Sequence, residues 1–410
     1  MTAAPAPLRR AAFAFIFVTV LLDMLAIGII IPVLPKLVLD FVGGDAVSGA
    51  DYLGLFGTAW ALMQFLFSPI HGALSDRFGR RPVILLSNFG LGLDYILMAL
   101  APSLAWLFVG RVISGICSAS VSTGYAYIAD VAEPDRRAAL FGMLGVAFGA
   151  GFVLGPAVGG IAGSFDPRLP FWIAACLSLL NGLYGLLILP ESLPPEKRAP
   201  FSWRRANPIG SLILLRSHAS LMGLAVISFL GHLAHASLPN IGVLYMMYRY
   251  SLSEQAVGFV MALVGLCSMI VQGGLIGPAV NRLGETKAMV VGLVFGVAGF
   301  AVFGLATTTL WFLVGVPLLA LWGIASAATL GLMSRNVSPS EQGQLQGANA
   351  SLMGIASLIG PGIFTQSFAM FIGAGAIVYL PGMPFLLAAL MIVAAIAVAV
   401  HTMRRKAAGA

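Results

Sequence analysis

Apolar runs long enough to cross a bilayer follow one another along almost the whole chain, and this feature constrains the fold most. The hydrocarbon core of a bilayer, about 30 Å thick, takes about 20 apolar residues as a helix. Twelve such runs are read, at 12–34, 52–74, 83–101, 104–128, 138–162, 170–189, 219–245, 256–277, 287–306, 309–332, 344–371 and 381–401. Shared over 410 residues, they leave no room for a sizeable soluble domain. The chain is 59% hydrophobic and 9% charged, against roughly 45–50% and about 25% in soluble domains. A soluble enzyme and a nucleic-acid-binding domain are thereby excluded, and the lipid bilayer is the first partner. Cys117, Cys176 and Cys267 all fall inside apolar runs and give neither a disulfide framework nor a metal spacing.

Lys and Arg concentrate in the cytoplasmic loops of membrane proteins. With the N-terminus inside, 18 of the 22 basic residues fall on the cytoplasmic side, three (Lys36, Arg168, Arg249) fall outside, and Arg111 lies within a run. This predicts an even number of spans with both termini cytoplasmic, in a bacterial-type inner membrane. Arg9-Arg10 precede a run too long for a signal peptide, so a retained first helix is expected. The stretch 190–218, rich in Pro and basic residues, reads as a cytoplasmic linker between halves at 1–189 and 219–410.

Those halves repeat at an offset of 205. Gly72 maps to Gly277, Arg77 to Arg282, Gly79 to Gly284, Trp106 to Trp311, Gly110 to Gly315, Pro134 to Pro339, Gly142 to Gly347, and Gly155-Pro156 to Gly360-Pro361. The fold expected is an all-α membrane protein of twelve transmembrane helices in two six-helix pseudo-repeats. Parallel repeats of this kind are the mark of a transporter that rocks about a central site.

Between the second and third runs lies Gly72-Ala-Leu-Ser-Asp76-Arg77-Phe-Gly79-Arg80-Arg81-Pro82. The glycines allow close backbone approach and a tight turn. Asp76 can accept from an arginine or a helix N-terminus, contacts that would have to break in a gating motion. A plain positive-inside anchor is the simpler reading, but it needs neither Asp76 nor the glycines. In the second-half copy Asn281 replaces the acid, so the first-half latch is expected to dominate. The fifth run carries Gly151, Gly155, Pro156, Gly159 and Gly160. Spacing by four lines glycines on one face for close helix approach, and Pro156 removes a backbone hydrogen bond. Helix packing alone accounts for that pattern physically.

Three ionisable residues stand deep in the runs: Asp23, Asp94 and Arg111. A charge at mid-membrane costs at least about 2.5–3.5 kcal/mol and marks a functional candidate. Asp23 and Asp94 are read as proton- or cation-coupling groups with Arg111 as counter-charge. A static ion pair is the alternative, but two acids against one base leave a spare carboxyl. His232 and His235 lie three apart on one helix face of the seventh run. They line a polar cavity or make ordinary interhelical hydrogen bonds, and no third ligand points to a metal.

Together these residues resemble the tetracycline-resistance (TetA-like) efflux branch of the drug:proton antiporters of the major facilitator superfamily. The resemblance runs through Leu22-Asp23, Ile27-Gly28 and Pro32-Val33-Leu34-Pro35. It continues in Ala61-Leu62-Met63-Gln64, the Asp76–Pro82 loop, Asp94-Tyr95, Gly110-Arg111-x-x-Ser114-Gly115, Ile128-Ala129-Asp130 and the antiporter-like glycines of the fifth run. In the second half Gln342-Gly343-x-Leu345-Gln346-Gly347 and Gly360-Pro361 are similar. The resemblance implies a proton-driven exporter with Gln64 and Gln272 lining the cavity and Asp23, Asp94 and Arg111 coupling. Asn88, Tyr95, Asn181, Asn240 and Asn349 are further polar cavity candidates. The family's tetracycline exporters carry a histidine in the eighth span and an aspartate in the ninth. Ser268 and Gly296 stand at those positions here, which speaks against tetracycline itself as cargo.

The function expected is proton-coupled export of a small amphipathic or drug-like compound by alternating access, by a monomer, with the proton gradient as energy source and no cofactor. An importing symporter and a non-transporting membrane sensor or scaffold are the alternatives. No nucleophile, metal cluster or phosphate loop suggests an enzyme.

Overall fold

The computed structural model describes residues 6–118, 121–131, 134–200, 215, 219–338 and 341–408. Of the linker expected at 190–218, residues 201–214 and 216–218 lie outside the described residues, as do Pro339 and the ends at 1–5 and 409–410.

A backbone in lipid must satisfy its polar groups internally, which favours helices, and helices dominate the described residues. In order they are α1 (Ala6–Ile30), α2 (Leu34–Phe41), α3 (Ala46–Phe78), α4 (Arg80–Leu100), α5 (Leu104–Cys117), α6 (Val121–Val131), α7 (Pro134–Phe165) and α8 (Leu169–Ile188). There follow α9 (Ala219–His235), α10 (Ser237–Tyr250), α11 (Glu254–Ile270), α12 (Ile276–Leu283), α13 (Glu285–Leu305), α14 (Thr309–Ser334), α15 (Gln342–Ile372) and α16 (Met383–Ala408). Among the described residues eleven segments are long and apolar enough to cross a membrane, and the shorter apolar α5 stands at the fourth run. These match the twelve runs.

The fourth run is carried by α5 and α6, with residues 119–120 between them outside the described residues, and the seventh and eighth also differ from the single helices expected of them. The seventh is interrupted at Ala236, whose N–H bonds the carbonyls of both His232 and Leu233 at 3.1 Å. The cause is Pro239, which has no N–H for the His235 carbonyl and crowds it. The Asn240 side-chain nitrogen donates to the neighbouring Ala236 carbonyl at 2.7 Å. The eighth run passes through a wide π-helical turn at Val271–Leu275, where Gly273 and Gly274 stand together, before resuming as α12.

The chain folds as two compact units. The first takes Met1–Phe41, Ala59–Asn207 and Ser253–Ala262; the second takes Val42–Thr58, Pro208–Leu252 and Leu263–Ala410. In the first unit α1 and α7 meet through glycine. A Cβ placed on Gly155 would stand 2.7 Å from the Gly28 Cα, and one on Gly151 would stand 2.5 Å from the Met24 Cβ. The helix α7 runs on through Pro156. Gly160 faces the start of α11, where its added Cβ would come within 3.0 Å of the Gly258 Cα. Beside this seam Phe15, Ile16, Tyr127 and Leu144 form a fully buried apolar core.

The second unit is held by aromatic side chains. Phe303 and Phe312 stack with centroids 4.0 Å apart, and Tyr245 packs edge-on against Phe385 at 5.0 Å. The Tyr245 hydroxyl donates to the Phe303 carbonyl at 3.0 Å and that of Tyr250 to the Ala306 carbonyl at 2.9 Å. Tyr245 is thus buried and Tyr250 half-buried, each with its polar end satisfied.

Candidate functional site

In the first unit the spacing of α1, α4, α5 and α8 brings three sequence-predicted residues into buried positions. Asp23 is buried in α1. The Asn181 side-chain nitrogen donates to its carboxylate at 3.0 Å and to the Thr19 carbonyl at 3.1 Å. The Thr19 hydroxyl and the Asn181 side-chain oxygen are buried without a hydrogen-bond partner. Next to them is a cavity of about 10 Å³ lined by Thr19, Asp23, Met24 and Ile84, about the least space that holds one water.

Asp94 is 1% exposed in α4. Gly110 of α5 lets that helix close on it: a Cβ there would stand 3.1 Å from the carboxylate oxygen. Arg111 and Ser114 are the polar groups that act on Asp94, yet neither of its oxygens, nor the Arg111 Nε, completes a hydrogen bond. The Arg111 guanidinium instead lies over the Trp60 ring, 5.4 Å from its centroid, where the ring's negative face offsets part of its desolvation. Tyr95 is buried within electrostatic reach of Asp94, Arg111 and Asp23. The structure therefore places two acids and one base deep among the helices of the first unit, with the hydrogen bonds of Asp94 and Arg111 incomplete, an expensive arrangement away from water. Asn88, fully buried on α4, also lacks partners for both its side-chain atoms.

The Gly/Arg loop is a one-residue joint. Gly79, at φ 106°, links α3 directly to α4 in a conformation open to glycine. At Gly72 the close approach expected from sequence is not present, since an added Cβ would meet nothing within 4 Å. Arg80 donates to Asp76 at 2.5 Å, to Asp130 at 3.0 Å and to the Ser75 hydroxyl at 2.7 Å. The Glu191 carboxylate accepts the backbone N–H groups of Arg80 at 2.8 Å and Arg81 at 3.3 Å, where a helix N-terminus favours negative charge. Arg81 donates to the Leu186 carbonyl at 2.6 Å, and Arg77 is exposed, its guanidinium 5.0 Å from the Phe78 ring centroid. Glu191, Trp60 and the pairing of Asn181 with Asp23 were not apparent from sequence. Each partner lies far along the chain, and no local spacing signals it.

In the second unit the imidazoles form a different kind of cluster. The Ser228 hydroxyl donates to the Asn349 side-chain oxygen at 2.8 Å, and His232 Nε2 lies 3.4 Å from the same atom. His235 is exposed, its ring 6.1 Å from that of Trp322. Trp322 fills the space left by Gly296, where an added Cβ would stand 2.8 Å from the indole Cδ1. Gln64 is half-buried in α3, Gln272 is exposed in the wide turn, and Asn240 spends its side-chain nitrogen on the Ala236 carbonyl. At the offset of 205, Asp23, Asp94 and Arg111 correspond to Ser228, Gly299 and Val316. None of the three buried charges has a charged counterpart. Among the described residues no group of three or more His, Cys, Asp or Glu is placed to hold a metal ion.

Membrane-length helices in two units, with acids and an arginine held deep among the helices of the first, define a multi-pass membrane transporter of small molecules rather than an enzyme. The family model described as Major Facilitator Superfamily matches residues 16–361, and the chain belongs to that family. Tetracycline resistance protein, class C, of Escherichia coli is 37% identical over 351 residues, covering 86% of this chain and 88% of that protein. The human organic anion transporter MFSD10 (TETRAN) is 26% identical, with a TM-score of 0.70 over 96% of this chain and 100% of that one. A bacterial homologue of the human lysosomal transporter Spinster shares the fold, with a TM-score of 0.79 over 98% of each chain at 16% identity.

Proposed function

We propose that the chain is a proton-coupled exporter of small amphipathic or drug-like compounds, working by alternating access in the inner membrane with both termini cytoplasmic. The observation that carries this reading is the pair of buried acids, Asp23 and Asp94, one held by a neutral amide and the other without a completed hydrogen bond. A carboxyl group so placed can take up and release a proton as its surroundings change, whereas a structural ion pair would be fully bonded. In this reading Arg111 sets the balance at Asp94, and the Arg80 network stiffens the cytoplasmic end of the first unit. One relative is named for tetracycline resistance and another for organic anions. Both names fit a small cargo of drug-like character.

The test is flux in liposomes carrying an imposed pH gradient, with internal pH followed while tetracycline and a panel of amphipathic compounds are offered. Counterflow of protons and compound is expected, together with its loss in Asp94→Asn. Co-movement would make the protein an importer, and no movement of either would leave the scaffold reading.

A further inference from the structure

We infer that Asn181 is a positioning residue that passes the protonation state of Asp23 on to α4. Its amide donates to the ionised carboxylate, turns over to accept from the protonated one, and in turning changes the hydrogen bond it offers to Asn88. This rests on the reading of Asp23 as a proton-coupling group and deepens it.

The first ground is where the two amides stand. Across the seam of α4 and α8, an added Cβ on Gly92 would meet Leu179 at 2.6 Å, one on Gly182 would meet Phe89 at 3.1 Å, and one on Gly185 would meet Leu85 at 2.8 Å. Leu85, Phe89 and Gly92 thus mark the face of α4 turned to α8. Ile84 lines the cavity beside Thr19 and Asp23 of α1. Asn88 lies one turn on from Ile84 and next to Phe89, between those two faces. Asn181, next to Gly182, bonds the Thr19 carbonyl and the Asp23 carboxylate. Both amides therefore belong to one junction of α1, α4 and α8, and both are fully buried.

The second ground is what the junction leaves unpaired. The Thr19 and Ser178 hydroxyls, the Asn181 side-chain oxygen and both side-chain atoms of Asn88 have no hydrogen-bond partner. Ser178 is three residues before Asn181, on the same face of α8. A buried polar group without a partner is costly. Such atoms gathered at one junction suit groups whose partners arrive in another state of the neighbouring carboxyl.

The third ground is chemical. An ionised carboxylate only accepts, whereas a protonated one also donates. Asn181 meets the first with its nitrogen, and its unpaired oxygen is an acceptor for the second. A half-turn of the amide exchanges the two at nearly constant shape, so the packing is kept. The turn puts donors where an acceptor stood, and Asn88, with an acceptor and two donors, can answer either.

Asn181 is also the side chain that acts on the Asp23 carboxyl. On the helices packed against α1, Tyr95 of α4 is within electrostatic reach of Asp23 and is itself acted on by Asp94 and Arg111. Tyr184 of α8 stacks on Phe15 with centroids 4.6 Å apart, and Cys176 is exposed. In α6, Tyr125 stacks on Phe148 at 6.4 Å, Tyr127 donates to the Pro190 carbonyl at 3.0 Å, and Asp130 pairs with Arg80 at the start of α4. Asp135, Arg136 and Arg137 stand in the first turn of α7.

The experiment is pH-difference infrared spectroscopy of the purified full-length protein in nanodiscs, with asparagine 13C-labelled at its side-chain carbonyl. The Asp23 carboxyl band is the one lost in Asp23→Asn. In the unmodified protein a labelled amide band is expected to shift with the same pH midpoint as that carboxyl band. The amide shift should vanish in Asp23→Asn and in Asn181→Leu. In Asn181→Leu the Asp23 midpoint should rise by about one pH unit or more, because a donor to the ionised form is gone. Thr19→Val removes the other unpaired oxygen beside Asp23 and should leave the amide shift in place. Asn88→Leu should keep the Asp23 band titrating, reduce the amide shift and lower proton-coupled flux about tenfold. A titrating Asp23 band in that variant excludes a loss of fold as the cause. An amide band that ignores pH, follows another midpoint or survives Asp23→Asn would overturn the inference. So would an unmoved Asp23 midpoint in Asn181→Leu, or an amide shift lost in Thr19→Val. If protons and compound exchange in liposomes while the amide stays silent, the coupling reading stands and the switch falls. If carboxyl and amide titrate together and no gradient drives flux, the reverse holds.

Discussion

Arg80 and Glu285 hold equivalent positions in the two units, 205 residues apart, and carry opposite charges into the same salt bridge. Arg80 pairs with Asp130 at 3.0 Å. Glu285 pairs with Arg335, the counterpart of Asp130, at 3.1 Å. Each follows a glycine joint of positive φ, Gly79 at 106° and Gly284 at 74°. The reversal accounts for Asn281 in the second copy. An acid there, four residues before Glu285 on neighbouring turns, would repel it, whereas Asp76 four residues before Arg80 is attracted.

The two bridges differ in burial, and this sets the first prediction. The side chains of Arg80 and Asp130 are 11% and 22% exposed, while those of Arg335 and Glu285 are 76% and 15% exposed. Double-mutant cycles read by thermal unfolding should give a coupling of about 2 kcal/mol for Arg80 with Asp130, and less than about 1 kcal/mol for Glu285 with Arg335. The reversed order would show that solvent screening does not govern these pairs.

Asn181 is the sole hydrogen-bond partner given to the Asp23 carboxylate among the described residues. Asn181→Leu should lower proton-coupled flux in liposomes about tenfold or more, in line with the 1.5–3 kcal/mol of a hydrogen bond to a charged group. Asn181→Asp, which keeps the shape and removes the donor, should fail similarly. Flux unaffected by both would separate Asn181 from the coupling group.

Glycine serves α7 unevenly. Gly155→Val should destabilise the protein by about 1–3 kcal/mol through overpacking against α1, because its added carbon meets the Gly28 backbone at 2.7 Å. Gly145→Ala, with nothing within 4 Å of the added carbon, should be neutral or stabilising by up to about 1 kcal/mol from helix propensity. Melting temperatures of the two variants check the contrast.

Asp45 caps the start of α3. Its carboxylate accepts from the Ser48 hydroxyl and from the backbone N–H groups of Val47 and Ser48, contacts that hold it below the ordinary value of 3.8. A carboxylate lowered in the folded state contributes above its unfolded value and loses that contribution as pH falls through the folded one. Hydrogen exchange at Val47 and Ser48 should therefore stay protected at pH 5 and lose protection well below pH 3.8. In Asp45→Ala that pH dependence should vanish.

The fold was largely legible in sequence because lipid leaves little choice: a run of about 20 apolar residues is a helix or it is not in the membrane. Asp23, Asp94 and Arg111 stood out for the same reason, as charges where charge is costly. What escaped is what depends on distance along the chain. Asn181 reads as one polar residue among several until the packing of α8 against α1 sets it on Asp23. Glu191 reads as linker until it lies on the first N–H groups of α4. The break in the seventh run was within reach, since Pro239 dictates it, but apolar continuity through Ala236 masks a local backbone rule.

The chemical asymmetry of the repeat bears on how such a protein diversifies. The buried acids and arginine lie in one unit, and their counterparts Ser228, Gly299 and Val316 are neutral. On the proposed reading, substitutions in the second unit can change what is carried while the energy source stays intact. Such a lineage can explore new cargoes one residue at a time without passing through an unpowered ancestor.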